Sequence, residues 1–150
     1  MLTPATVTLA FALILLLLAL FKPQAGRIVF GVFFLIMAWG VNLPVLLSDP
    51  LLFAAAGENA LLPLYAWFFQ TLLPAAPVFF AGLLIALETT IGLLTLSRGR
   101  AAQAGLLLGA LFCLGITFVG PEEIWMPSVA IAPLLLARRS WPAAGGSAGR

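Results

Sequence analysis

An all-α bundle of five transmembrane helices is the fold class this sequence predicts, and three observations predict it. The composition is 63% hydrophobic and only 8% charged, with a mean hydropathy of +1.19. Soluble domains carry about 25% charged residues, so this chain is built for lipid. Apolar runs bounded by charges, prolines or glycines fall at about 6–21, 28–47, 78–96, 101–119 and 124–138. Threaded in alternation, they put every Lys and Arg on one side of the membrane and every acid except Glu88 on the other. At about 20 apolar residues per crossing, the length leaves room for no more than about five or six spans.

The first run, TVTLAFALILLLLALF, reads as a retained helix rather than a secretory leader. MLTPA in front of it lacks the positive n-region, and the charge follows at Lys22. The second begins after Arg27 and ends near Ser48-Asp49-Pro50, with AWGVNLP interrupting its far half. The third opens after Pro74 and Pro77 and stops at SRGR, the fourth runs from there to GPEE, and the fifth is short and contains Pro127 and Pro133. With the N-terminus outside, Lys22, Arg27, Arg98, Arg100, Arg138, Arg139 and Arg150 are cytoplasmic, and Asp49, Glu58, Glu122 and Glu123 are outside. A multi-pass membrane protein with a cytoplasmic C-terminus follows.

The outer connection contains ENALLPLYAWFFQTLLP, apolar and crowded with Tyr65, Trp67, Phe68 and Phe69. A sixth crossing here would send all later basic residues to the wrong side. The segment at about 58–73 therefore reads as an interfacial or re-entrant helix with its aromatics at headgroup level; a lid over a cavity is the second reading. Residues 1–140 form one transmembrane domain, and 141–150 read as a small-residue, disordered tail.

The inventory excludes much chemistry. There is no histidine and only one cysteine, Cys113, so His-ligated haem, Ser-His-Asp catalysis, CxxC redox pairs and Cys-ligated clusters are out. No metal site or catalytic constellation is expected. The scattered pairs of basic residues mark topology and give no nucleic-acid surface. In the fourth run Ala101, Gly105, Gly109, Cys113 and Thr117 recur every four residues, a row that lets another helix approach closely, whether from this chain or a second copy. Glu122 and Glu123 are adjacent and suit the N-terminus of the fifth helix.

Glu88 is the anomaly: a carboxyl in the middle of GLLIALETTIGLL. At 100° per residue, Ala81, Gly92, Thr95 and Gly99 share its face, whereas Leu83, Leu87 and Leu94 point elsewhere. An ionisable group at this depth should therefore face protein. By depth, its candidate neighbours are Trp39, Asn42 and Thr117. The site expectation is thus an intramembrane polar cluster of Glu88, Asn42, Trp39 and Thr117, with Gly92, Gly105, Gly109 and Cys113 serving helix packing. Either Glu88 ties helices together through a hydrogen bond, or it orients a ligand or exchanges a proton in a cavity.

ALETTIGLLTLSRGRAAQAGLLLGALF resembles the central motif of DoxX-like small integral membrane proteins, a glutamate-bearing helix followed by a basic turn and another helix. GRIVFGVFF is similar to that family's opening, with Arg27 and Gly31 at R-x-x-x-G spacing. The resemblance spans about residues 26–138. The family usually has four helices, so this chain adds one and a long outer segment. It also has Asn42 where many members place a glycine followed by a lysine, so no lysine-dependent function carries over. The resemblance implies a bacterial plasma-membrane protein that serves as a partner subunit in quinone-dependent redox systems. The expected function is thus a non-catalytic accessory subunit of such a complex, packed against lipid and other membrane subunits or its own copies, bordering a quinone or lipid pocket near Glu88. The alternative is a small transporter or hydrophobic-ligand-binding protein that uses Glu88 in a cavity.

Overall fold

The computed structural model describes residues 3–142, and all regular structure among them is helical. The elements are α1 (Pro4–Phe21), α2 (Pro23–Ser48), α3 (Leu52–Ala55), α4 (63–75), α5 (Pro77–Leu96), α6 (Gly99–Ile116) and α7 (Met126–Ala137), with a 3-10 turn at Pro121–Glu123. α2, α5 and α6 are each long and apolar enough to cross a membrane; α1 and α7 are shorter apolar helices. The tail expected from 141 onward lies outside the described residues from 143. Trp141 is not free of the bundle: its Nε1 donates to Leu136 O at 3.3 Å.

Five helices close a ring. α5 packs between α2 and α6, α7 between α6 and α1, and α1 returns against α2. The core is made by Leu15, Phe30, Phe34, Ile91, Leu106, Val129 and Leu136, all essentially inaccessible, with Phe34 edge-on to both Phe30 and Phe112. Leu83 and Leu87 face outward, as their angular positions predict.

The small-residue row packs inside this chain. A side chain at Gly109 would meet Phe30 Cε1 at 2.6 Å and Ile91 Cγ2 at 3.1 Å, so α6 lies against both α2 and α5 there. Gly105 sits directly on the α5 backbone at Leu94 and Thr95. On the other side of α5, Gly92 meets Gly31 so closely that a Cβ on either would lie 3.0–3.2 Å from the other's carbonyl oxygen. Lipid gives helices little drive to associate, so contacts of this closeness supply the dispersion energy that holds the bundle. Cys113 is buried in the core and serves the same packing.

One end of the bundle is closed by side chains that cap helix C-termini. Arg27 donates through Nη1 to Thr95 O at 2.9 Å and to Ser97 O, and its guanidinium lies 4.8 Å from the centre of the Trp141 ring. Arg139 reaches Ala19 O at 3.4 Å, and Gln103 Nε2 donates to Ala137 O and Arg139 O. Carbonyls left over at a helix end carry partial negative charge, which a guanidinium satisfies both as donor and as cation. Gly99, with φ of 62°, makes the tight turn from α5 into α6 at this end.

At the opposite end, two π-helical turns share one cause. In MAWGVN of α2, Leu43 N–H bonds to Ala38 O, and in FFQTL of α4, Leu73 N–H bonds to Phe68 O, each five residues back. Pro44 and Pro74 follow directly. Proline has no N–H for the carbonyl four residues earlier and its ring crowds that oxygen; widening the preceding turn accommodates both. α4 is therefore a helix with a widened turn at its centre.

Candidate functional site

Glu88 lies about 17 Å along α5 from Pro77 and about 12 Å from Leu96, at 1.5 Å rise per residue. It is only 3% exposed, and Ala81, Gly92 and Thr95 on its face are buried with it. Asn42, at the end of the π turn of α2, donates from Nδ2 to Glu88 Oε2 at 2.6 Å. A hydrogen bond to a carboxyl group in a low-dielectric surrounding is stronger than its counterpart in water, and orphaning either partner would be costly. The wide turn is what aims Asn42 at α5.

The pair sits in the wall of a cavity of about 620 Å³. That volume is in the range of small-molecule and cofactor sites, and so is the character of the walls: largely apolar, with a few convergent polar groups. Met37 and Asn42 come from α2, Leu84 and Glu88 from α5, and Phe112, Gly115 and Ile116 from α6. α4 covers the chamber with Leu64, Tyr65, Trp67, Phe68 and Phe69, and α3 contributes Phe53. The outer segment thus lines the chamber, the geometry that a lid has. It is pinned by Leu61 N donating to Phe118 O at 3.0 Å and by Tyr65 Oη donating to Gly115 O at 2.9 Å. Gly57 leaves the space into which the Phe69 ring packs.

Of the four residues expected to form the polar cluster, the structure brings two together. Trp39 is 56% exposed and lines a shallow outer depression with Ile36, Gly40 and Thr89, away from the Glu88 cavity. Trp39 and Asn42 would stand about 60° apart on a regular α-helix. The π turn rotates each residue through a smaller angle, so it swings them further apart. Thr117 is buried but does not line the chamber; its Oγ1 donates to Cys113 O at 3.0 Å, back along its own chain.

A further correction concerns the outer acids. Glu122 and Glu123 lie in a separate 3-10 turn, and α7 begins only at Met126 with no side-chain cap. The turn at Ile124-Trp125 intervenes, so neither acid reaches the N–H groups of α7. Glu123 instead joins the cavity lining. Burial, with the neighbouring Glu122 charge adding to it, pushes its carboxyl above the usual range.

The chamber can bind and orient. It presents one carboxyl–carboxamide pair in its wall, a second carboxyl from Glu123, and aromatic faces between them. Among the described residues no three His, Cys, Asp or Glu side chains cluster as metal ligands. Thus the groups available to a bound molecule are hydrogen-bonding and aromatic. In comparisons with known proteins, no family model, no curated protein and no solved structure matches the chain.

Proposed function

We propose that this protein is a five-span plasma-membrane protein, of DoxX-like type, that holds an amphiphilic molecule in the chamber between α4 and the bundle. The supporting observation is the Glu88–Asn42 pair in the wall of an otherwise apolar, aromatic-lined cavity of about 620 Å³. A buried polar pair in such a wall orients a polar head while the chamber takes the apolar body. A quinone or a membrane lipid has the required two-part character. Purified wild-type protein in neutral detergent is expected to bind a short-tailed quinone above the level of empty micelles. Replacing Glu88 by Leu should weaken that binding, measured per amount of folded protein recovered by size-exclusion chromatography. Equal binding by the two proteins would remove the site from consideration.

The accessory-subunit role is the second reading, and it is an extension of the first. A chain without histidine and with a single cysteine can shelter a quinone, but it has no ligand set for a redox centre to reduce it. Electrons would come from another subunit. Co-purification with a cofactor-bearing protein in mild detergent supports this role; recovery as a cofactor-free homo-oligomer opposes it.

The five-span arrangement rests on the packing of α1 and α7 within the same ring as the three longer helices. It also rests on the grouping of Arg27, Arg98 and Arg139 at one end of that ring and Glu123 at the other. With the N-terminus outside, a cysteine replacing Arg100 should be labelled by a membrane-impermeant thiol reagent only from the cytoplasmic side, and one replacing Glu58 only from outside. Labelling of both from one side would refute the topology.

A further inference from the structure

The walls of the chamber carry a charge pattern that restricts the head group of what they hold. Among the described residues, two carboxyl groups, Glu88 and Glu123, line the cavity, and no Lys or Arg does. The basic residues do not compensate from nearby. Arg27 is committed to Thr95 O and Ser97 O, and Arg139 reaches Ala19 O, both at the far end of the bundle. Along the sequence, no basic residue lies between Arg27 and Arg98, the stretch that supplies the lid and the Glu88 helix. A cation entering there would hold the carboxyl facing it in its charged form, and in a medium of low dielectric their attraction is weakly screened.

The second half of the pattern is aromatic. Phe53, Phe112 and the lid residues Tyr65, Trp67, Phe68 and Phe69 all line the same space. The face of an aromatic ring carries negative quadrupole charge, and a cation stripped of water is attracted to it. An anion in the same place would meet both the ring faces and the carboxylates. A neutral molecule would gain apolar contact and a hydrogen bond but nothing from the charge. Acidic and aromatic groups together, with no positive group among them, are the complement of an organic cation.

From this we infer that the chamber selects a lipophilic cation, a quaternary or protonated ammonium-type centre carried on an apolar body, with Glu88 as its counter-charge and the lid aromatics around it. The inference rests on the amphiphile-binding reading above and narrows it to a ligand class. A zwitterionic phospholipid fits less well, since its phosphate would enter beside the carboxylates.

Three probes of similar shape and different charge test it on the purified full chain in neutral detergent, with empty micelles as the blank. Tetraphenylphosphonium is a cation, tetraphenylborate its anionic counterpart, and triphenylphosphine oxide a related neutral molecule. Equilibrium dialysis is expected to show the cation bound at least about tenfold more tightly than the neutral probe, with the anion at blank level. Glu88→Gln keeps the size of the side chain and an acceptor for Asn42. It should lose at least about tenfold in cation affinity, so that the wild-type preference for the cation over the neutral probe collapses. Equal binding of cation and neutral probe by the wild type overturns the inference and leaves the amphiphile reading intact. Failure of both to bind above blank overturns the two together. The wild-type comparison decides the matter even if Glu88→Gln does not fold.

Discussion

Gly105→Leu is expected to prevent recovery of folded protein. The position faces the α5 backbone: Thr95 N is the atom nearest to where a Cβ would sit, with Thr95 Oγ1 at 2.7 Å and the Leu94 carbonyl carbon at 2.8 Å. These are largely main-chain atoms, so no rotamer change relieves the clash, and α5 and α6 must separate. Overpacking in a well-packed core costs about 1–3 kcal/mol where side chains can adjust. Here the backbone itself must move, so the loss should lie at or above the top of that range. Size-exclusion chromatography and thermal unfolding of the detergent-solubilised variant measure this. A monodisperse Gly105→Leu protein with an unchanged melting temperature would show that the helices are not packed along this row.

The second large effect concerns the intramembrane pair. Asn42→Leu removes the one hydrogen-bond donor that Glu88 has among the described residues and should cost about 1–3 kcal/mol, the penalty of an orphaned buried polar group. Glu88→Leu should cost a similar amount by orphaning the Asn42 amide. The double variant leaves neither group without its partner, so its destabilisation should fall clearly short of the sum of the two. Unfolding of all four proteins in a double-mutant cycle reads the coupling directly. Strict additivity would mean that the two side chains do not hold each other in the membrane.

These expectations show which features were legible in the sequence and which were not. The apolar helices follow from where charges and prolines stop each run, but not all their ends do: α2 begins at Pro23 and takes in Arg27, where the sequence reading began at 28, and α6 ends at Ile116 rather than at 119. α5 begins at Pro77 and ends at Leu96, one residue from the sequence reading at its start. The burial of Glu88 and the outward positions of Leu83 and Leu87 were legible because α5 is a regular helix, for which 100° per residue holds. Depth was the one criterion for the neighbours of Glu88, and depth is blind to direction around the helix axis. Trp39 shares a level with Asn42 but is swung outward by the π turn, and Thr117 is at a suitable level but turned to Cys113 O.

The lid was legible only as a choice. A helix bearing Tyr65, Trp67, Phe68 and Phe69 has the same composition whether its rings meet headgroups or close a cavity. What places the segment over the cavity is tertiary: the Tyr65 bond to Gly115 O and the Leu61 bond to Phe118 O, each spanning some 50 residues or more of chain. Glu123 was hidden for a related reason. An acid just before an apolar helix signals a cap, and nothing local announces that a 3-10 turn will carry it to the cavity instead. The GxxxG row signalled close packing but not its partner, since small residues admit any helix that fits. The structure fills that role with α2 and α5 of the same chain.

The central claim is that the chamber holds a molecule, and filling the chamber tests it most directly. Gly115 lines the cavity, and a Cβ there would have Tyr65 Oη as its nearest neighbour at 3.8 Å, an ordinary contact with room beyond. Leucine at this helical position gains up to about 1 kcal/mol in helix propensity over glycine, so Gly115→Leu should fold at least as well as the wild type. Small molecules extracted from the two proteins, purified side by side from the same membranes, can be compared by mass spectrometry. The account predicts an amphiphile retained by the wild type and depleted at least about tenfold in Gly115→Leu. The same molecules in the same amounts from both proteins would contradict it.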